Sequence, residues 1–212
     1  MLHYKTIEPH TLSILKRLFN EDIFKECRLV GGTSLALQYG HRCSVDLDFF
    51  GNIRHDAIEI QNILNQIGEV IVIKNTSNIH LFIVDGVRID IVNYNYKWID
   101  DCIYEDGLFL ASDKDISAMK ISAIENRGTK KDFIDLYYLL QKYSFNEILS
   151  FYSKKYPNHS LFRALMSITY FDDAESDPMP LMLKTIDWSI VKETLLDTVS
   201  KYKTDTQNNA IL

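Results

Sequence analysis

The segment at residues 28–50, RLVGGTSLALQYGHRCSVDLDFF, contains two patterns that decide how the chain folds. In residues 31–34, Gly-Gly-Thr-Ser, a glycine pair breaks the backbone and two hydroxyl residues begin a helical-looking run that ends at Gly40. Residues 44–50 then alternate apolar and acidic side chains with a period of two, which is typical of a half-buried strand. We therefore predict a turn, a short helix and a strand, in that order.

The acidic residues of this predicted strand, Asp46 and Asp48, are two positions apart and therefore project from the same side. Val45, Leu47 and Phe49 are expected to face the core. Two neighbouring carboxylates repel each other unless a cation or a basic side chain compensates their charge. Mg²⁺ or Mn²⁺ prefers such oxygen ligands, so the pair is a candidate metal site; the alternative interpretation is a solvated acidic face.

A second acidic strand is predicted downstream, in a β-hairpin. Residues 79–84 and 87–92 are rich in β-branched side chains and flank residues 85–86, Asp-Gly, the usual sequence of a two-residue type I′ turn. This turn fixes a register in which Asp90 lies opposite Leu81 and points away from the apolar side of its strand. Asp90 is therefore a candidate third carboxylate, on the condition that its strand lies beside the first acidic strand.

The remaining periodicities divide the chain into two parts. Before residue 111, helices are predicted at 11–19 and 55–67 and a further strand at 70–73. After it, helical patterns lie at 113–126, 130–142, 145–154, 160–170 and 188–202, and residues 204–209 are expected to form a frayed polar tail. The chain is thus expected to be α+β, with an α+β domain at 1–110 and an all-helical domain at 111–212.

The composition excludes several classes of protein. Of the 212 residues, 46% are hydrophobic and 25% charged, which fits a globular protein rather than a disordered or fibrous one. The net charge of −6 argues against a protein that coats nucleic acid through a broad basic surface. No apolar run approaches the ~20 residues of a transmembrane helix, so we expect a cytoplasmic protein without a membrane partner. Three dispersed cysteines do not indicate a zinc site.

A glycine turn followed by two strand carboxylates brings a phosphate cradle and a divalent-metal site together, which nucleotidyl transfer requires. This order matches the signature of polymerase-β-like nucleotidyltransferases. With residues 119–124, Met-Lys-Ile-Ser-Ala-Ile, and residues 131–136, Lys-Asp-Phe-Ile-Asp-Leu, the chain resembles the AbiEii-type nucleotidyltransferase toxins over about residues 10–142. The resemblance implies a nucleotidyltransferase-like mixed sheet with flanking helices, followed by an all-helical C-terminal half.

The same resemblance implies a metal-dependent enzyme that moves a nucleoside monophosphate from an NTP to an acceptor hydroxyl. The acceptor expected from the family is RNA, tRNA in particular. The expected role is the toxin of a toxin–antitoxin or phage-defence system, with a cognate antitoxin as partner. Two alternatives stay open: a small hydroxylated acceptor such as an aminoglycoside, and a catalytically silent binding module of the same fold.

The predicted roles fall on named residues. The metal ligands are Asp46, Asp48 and Asp90, and the catalytic set adds Lys120 and Asp132. The nucleotide-binding set is Gly31, Gly32, Thr33, Ser34, Arg42, Lys120 and Arg127. Arg42 either pairs with one of the strand carboxylates or reaches a substrate phosphate. Asp132 and Asp135 are both candidates for the helical aspartate of the family motif, and Asp132 is preferred.

The basic residues of the helical half have a physical interpretation of their own. Lys120, Arg127 and Lys131 lie on one helix face if Gly128 does not interrupt the helix. Such a face can hold a triphosphate. The alternative is a solvated basic stripe.

Overall fold

The apolar periodicities of the sequence form helices and strands close to the predicted bounds. The computed structural model describes residues 1–210. The helices are α1 (Pro9–Asn20), α2 (Gly31–Tyr39), α3 (Ala57–Asn65), α4 (Asp113–Asn126), α5 (Lys130–Leu140), α6 (Phe145–Lys155), α7 (Leu161–Ile168), α8 (Asp172–Glu175) and α9 (Trp188–Ala210). The strands are β1 (Cys27–Leu29), β2 (Leu47–Gly51), β3 (Val70–Asn75), β4 (Ile79–Val84), β5 (Val87–Asn93), β6 (Ile103–Glu105) and β7 (Leu108–Leu110).

All these strands belong to one mixed sheet, in the order β3-β4-β5-β2-β1-β7-β6. The pairs β2–β5 and β1–β7 are parallel, and the other neighbours are antiparallel. The described residues divide into two compact units, one that ends at Ser112 and contains the sheet, and one that begins at Asp113 and is helical. The predicted α+β class, a mixed sheet with flanking helices, is confirmed.

The predicted hairpin is present with the predicted turn. Asp85 and Gly86 have φ angles of +46° and +81°, as both central positions of a type I′ turn require. Strands β4 and β5 pair in the predicted register, in which Leu81 lies opposite Asp90. The phase of β5, and therefore the side from which Asp90 leaves the sheet, follows from this turn.

The core of the sheet unit lies on one face of the sheet. Leu47 and Phe49 of β2 and Ile91 of β5 are fully buried in it. The ring of Phe19, from α1, meets that of Phe49 at a centroid distance of 5.2 Å. Full burial of each such side chain contributes about 1.5–3 kcal/mol to stability. Because side chains alternate along a strand, the residues between these apolar positions leave the sheet on its other face.

Strand β2 begins later than predicted, at Leu47 rather than at Ser44. The backbone N–H of Ser44 donates to the carbonyl of Thr6 at 2.9 Å and so is not part of the strand ladder. Asp46 consequently precedes the strand, and Val45 is 56% exposed instead of facing the core as predicted. The prediction for Val45 was wrong because the alternating sequence pattern begins two residues before the hydrogen-bonded strand does.

Two further features differ from the sequence expectations. Strands β1, β6 and β7 were not predicted; each has three residues, which is too few to display a period of two. The predicted polar tail at 204–209 is instead the continuation of α9 to Ala210. Within this helix the hydroxyls of Thr204 and Thr206 donate to the carbonyls of Ser200 and Tyr202, one turn earlier.

The helical unit is organised around α4, which packs against α5, α6 and α7. Gly128, with φ of +51°, separates α4 from α5, so Lys131 does not share a helix with Lys120. Inside the unit, the ammonium of Lys155 lies 2.6 Å from the carboxylate of Asp115, and both side chains are fully buried. No helix within residues 1–210 has the length and apolar character needed to cross a bilayer.

The buried pair of Lys155 and Asp115 gives a test of the helical unit. Lys155→Met is expected to lower the free energy of unfolding by about 3–5 kcal/mol, because it leaves a buried carboxylate without its counter-charge. The double variant Lys155→Met with Asp115→Leu should recover most of that loss. Urea unfolding followed by circular dichroism measures both. Equal stability of the single and double variants would contradict a tightly coupled pair.

Candidate active site

Two carboxylates lie side by side on the face of the sheet opposite the core. The parallel register of β2 and β5 places Asp48 directly beside Asp90, on strands that run about 4.8 Å apart. Their sequence neighbours Leu47, Phe49 and Ile89 are fully buried on the other face. The prediction that the strand of Asp90 neighbours the strand of Asp48 is therefore confirmed, and it depends on a pairing between segments forty residues apart in sequence.

Arg88 forms hydrogen bonds with one of these acids, Asp90, and sequence reasoning missed this role. Its Nε donates to Asp90 Oδ1 at 2.9 Å and its Nη2 to Asp90 Oδ2 at 3.1 Å. This hydrogen bonding raises the pKa of Arg88 above its ordinary value; burial opposes the rise, and the charges of Asp90, Asp46 and Asp48 add to it. Arg88 therefore lies within electrostatic range of all three acids. The available signal was its position two residues from Asp90 on a strand.

The chemistry of the donors fits a divalent cation. Carboxylate oxygens are the preferred ligands of Mg²⁺ and Mn²⁺, and Asp48 and Asp90 present them from adjacent strand positions. Asp46 contributes its charge from the segment before β2. Within residues 1–210, no three His, Cys, Asp or Glu side chains form a ready-made metal-binding group. The arrangement is therefore an adjacent carboxylate pair with a third acid nearby, rather than a closed protein cage.

The glycine pair of the sequence forms the start of α2, directly against this acidic face. Gly31 has φ of +66°, and a Cβ atom at this position would overlap the carboxylate of Asp48. The N–H of Val30 donates to the carbonyl of Asp48 at 2.9 Å. The first turn of α2 contains no acidic residue. The N-terminus of a helix, whose first N–H groups have no partner within the helix and whose dipole favours phosphate, thus lies beside Asp48.

The other residues of the predicted phosphate-binding turn, Gly32, Thr33 and Ser34, contact either the segment before β2 or α2 itself. A Cβ atom on Gly32 would collide with the guanidinium of Arg42, which is buried and donates to the carbonyl of Cys43 at 2.9 Å. The hydroxyl of Thr33 donates to the carbonyl of Asp46. Ser34 accepts a hydrogen bond from the Gln38 amide at 3.2 Å. The Thr33 hydroxyl therefore joins the start of α2 to the segment before β2, whereas the Ser34 hydroxyl bonds within α2, and Arg42 lies next to Gly32.

In the helical unit, the predicted residues form a buried cluster of charges. The ammonium of Lys120 lies 2.9 Å from Asp132 and 2.6 Å from Asp135. Asp132 also accepts from Arg127 Nε at 3.0 Å and from the Thr129 hydroxyl at 2.6 Å. Both candidate aspartates thus bind the same lysine. The interpretation of Lys120 as part of a solvated stripe was wrong, because only 4% of its side chain is exposed.

The ionised form of Asp132 is strongly stabilised in this cluster. Burial raises the pKa of Asp132, but the positive charges of Lys120 and Arg127 and their hydrogen bonds lower it by more. The net pKa therefore lies well below the ordinary range of an aspartate. Such a carboxylate is ionised at neutral pH, so it serves there as a fixed counter-charge rather than as a proton carrier.

Arg127 is the accessible member of this cluster. Its side chain is 58% exposed, whereas those of Lys120 and Asp132 are buried. Arg127 also lines a cavity of about 360 Å³ within the helical unit, together with Gly128, Met166 and Tyr170. The guanidinium therefore connects the buried cluster to a space large enough for a small ligand.

Comparison with known proteins gives the following similarities. The family model described as nucleotidyl transferase AbiEii toxin, type IV TA system, matches residues 13–100, which include the glycine turn and the acids Asp46, Asp48 and Asp90. An uncharacterised protein of Aquifex aeolicus (strain VF5), aq_aa25, is 32% identical over 169 residues, which cover 77% of this chain and 82% of that protein. The match to this relative extends well beyond the segment that the family model covers.

Two solved structures share the fold over nearly the whole chain. MenT4, described as nucleotidyltransferase toxin Rv2826c from Mycobacterium tuberculosis H37Rv, aligns with a TM-score of 0.59 and 14% identity over 94% of this chain and 85% of that one. JHP933 from Helicobacter pylori aligns with a TM-score of 0.56 and 18% identity over 97% of both chains. At such identities the likeness concerns the fold.

The close approach of Gly31 to Asp48 predicts a position that tolerates no side chain. Gly31→Ala is expected to lower nucleotide-dependent activity severely, since the new methyl group must displace the Asp48 carboxylate. Gly86→Ala is the matched control: its φ is also positive, so it carries a similar backbone cost of roughly 1–2 kcal/mol, but nothing lies near its Cβ position. Thermal unfolding and activity of the two variants separate backbone strain from the collision. Equal losses in both variants would argue against a specific contact at Gly31.

The depressed pKa of Asp132 predicts how the protein responds to acid. Asp132→Asn is expected to cost about 3 kcal/mol at neutral pH, because Arg127 loses its counter-charge and the buried Lys120 keeps only Asp135. The stabilisation from a lowered carboxyl pKa is complete above the unfolded value near ~3.9 and is lost as the pH falls through the folded value. The stability difference between wild type and variant should therefore shrink below about pH 4. Urea unfolding at pH 7 and pH 3 tests this; a pH-independent difference would contradict it.

Proposed function

We propose that the chain, which belongs to the AbiEii nucleotidyl transferase toxin family and is a nucleotidyltransferase, moves a nucleoside monophosphate from an NTP to a hydroxyl of RNA. The reaction is metal-dependent and releases pyrophosphate. The observation that carries this proposal is the adjacency of Asp48 and Asp90 at the N-terminus of α2. A metal-ligating carboxylate pair and a phosphate-binding helix end then act on one triphosphate. Nucleotidyl transfer needs both groups at the reacting phosphorus.

In this proposal the three acids have two roles at the reacting phosphate, metal binding and acceptance of a proton. Asp48 and Asp90, with Asp46 beside them, hold Mg²⁺ or Mn²⁺, which when bound supplies Lewis-acid polarisation of the phosphoryl oxygens. Asp90 in addition accepts the proton of the attacking hydroxyl. Arg88 fixes the orientation of the Asp90 carboxylate through its two hydrogen bonds. Positioning and electrostatic stabilisation then provide most of the rate enhancement.

The start of α2 is the proposed binding site of the triphosphate. The backbone N–H groups of Gly31 and Gly32 bind phosphate oxygens, and the glycines are needed because the Asp48 and Arg42 side chains occupy the space of a Cβ. Arg42 adds a positive charge beside Gly32. Thr33 supports the turn through its hydroxyl, which donates to the carbonyl of Asp46, and Ser34 accepts a hydrogen bond within α2. This division assigns the predicted nucleotide-binding residues either to phosphate contact or to the shape of the turn.

The helical cluster has a proposed role of its own, the binding of phosphate. Arg127 offers accessible guanidinium surface for phosphate contact. Lys120 and Asp132 are buried, and Asp132 accepts hydrogen bonds from both Lys120 and Arg127. We therefore assign them the positioning of the Arg127 guanidinium. Removing Lys120 would then weaken NTP binding and turnover through Arg127.

The proposed biological role is that of a toxin acting in the cytoplasm on RNA, with tRNA as the expected acceptor and a cognate antitoxin as partner. Family membership supports the toxin role. The first experiment is incubation of the purified protein with Mg²⁺, each radiolabelled NTP in turn, and either total tRNA or an aminoglycoside as acceptor. Label in the RNA band supports the proposal; label only in small hydroxylated acceptors such as aminoglycosides, or no transfer at all, contradicts it.

The carboxylate assignment predicts a loss of activity without a loss of stability. Asp48→Asn and Asp90→Asn should each lower the rate of transfer by about 100-fold or more. Asp48→Asn should leave the melting temperature unchanged or slightly raised in the absence of metal, since it relieves charge repulsion. Glu69→Gln, an exposed carboxylate of the same unit, is the control. Wild-type turnover in either aspartate variant at saturating Mg²⁺ would remove that residue from the proposed site.

A further inference from the structure

An aromatic surface lies on the same face of the sheet as the two adjacent carboxylates. Phe50 is two residues beyond Asp48 on β2 and pairs with Val92 of β5, so it leaves the sheet on the face of Asp48 and Asp90. The ring of Tyr94, just after β5, lies 5.1 Å from the ring of Phe50. The spacing of two strand residues puts this aromatic surface about 7 Å from the carboxylates along the strand.

The surface continues into the segment that follows β5. The rings of Tyr96 and Trp98 both lie 5.3 Å from the ring of Tyr94. We name Phe50, Tyr94, Tyr96 and Trp98 the aromatic platform. The guanidinium of Arg28, from β1, lies 4.4 Å from the centre of the Trp98 ring and donates to the carbonyl of Asp100 at 2.8 Å.

The aromatic platform is not part of the hydrophobic core. Phe24 and Phe49, on the core side, are fully buried, whereas every ring of the platform retains accessible surface. Tyr96 is 44% exposed. Lys97, between the last two rings in sequence, is exposed as well. A set of accessible, mutually oriented rings bordered by basic residues has the composition of surfaces that stack single-stranded nucleic acid.

We propose that the aromatic platform binds unpaired bases of the RNA acceptor by stacking and so presents the acceptor strand to the carboxylate pair. This inference rests on the proposed function, which supplies an RNA acceptor. Unpaired bases stack on aromatic rings and on guanidinium planes, and both kinds of surface are present at Trp98 and Arg28. Because the platform continues from β2 into the segment after β5, it has room for more than one base.

The kinetic test separates acceptor binding from nucleotide binding. Trp98→Ala and Tyr96→Ala should raise the KM for RNA roughly tenfold, the size expected for one lost stacking contact, while the KM for NTP at saturating RNA stays unchanged. Tyr96→Phe keeps the ring and should behave like wild type. Tyr104→Ala is the matched control, because Tyr104 is an exposed tyrosine on the edge strand β6 of the same unit. A rise in the KM for NTP alone would assign the platform to the nucleotide base and overturn the proposal.

A binding test makes the outcome independent of catalysis. The chain has two tryptophans, so the Trp188→Phe variant reports the fluorescence of Trp98 alone. Addition of a single-stranded dodecamer of oligoadenylate, without NTP or metal, should quench that fluorescence, and a duplex of the same length should quench it far less. Quenching in a protein that transfers nothing to RNA would contradict the proposed function and support the platform. Transfer to RNA without quenching, and with an unchanged KM in Trp98→Ala, would overturn the platform and leave the proposed function standing.

Discussion

The parallel pairing of β2 with β5 is the constraint on which the rest of the candidate active site depends. It places Asp48 beside Asp90, although the two residues belong to separate antiparallel partnerships with β1 and β4. The pairing is secured on the core face, where the apolar residues of both strands are completely buried. Hydrophobic burial on one face therefore holds two like charges together on the other. A shift of one residue in either strand would turn the aspartate of that strand towards the core and its apolar residues away from it.

Two adjacent carboxylates on one face of the sheet impose an electrostatic cost, and two features of the structure offset it. Arg88 binds Asp90 through two hydrogen bonds. The start of α2, held against Asp48 by the positive φ of Gly31, directs the positive end of its dipole towards the acids. Both devices place positive charge where a metal and a triphosphate would also bind. The same local field thus stabilises the free protein and, on the proposed function, recognises the substrate.

The sequence predicted the elements that have a repeating pattern or a specific turn. The Asp85-Gly86 turn determined the register of β5 and so the face of Asp90, and the long helical periodicities located α4 to α7. The sequence could not predict strands of three residues, because so short a segment has no period. It also could not predict the burial of Lys120, because the two carboxylate partners of this lysine lie in another helix. The stabilising contacts that were missed, those of Arg88 and of Lys120, both involve charges compensated by tertiary structure. A sequence shows that a charge exists but not whether the fold neutralises it.

Charge compensation also bears on how an acidic protein would act on RNA. In the helical unit, Lys155 is paired with Asp115, and Lys120 with two aspartates, so these cations contribute little attraction at the surface. With a net charge of −6, the chain lacks the charge balance of proteins that bind RNA mainly through its phosphates. Affinity for an RNA acceptor must then come from contacts that do not depend on net charge. Stacking on the aromatic platform is such a contact, and it favours unpaired bases over a duplex, because bases within a duplex already stack on one another.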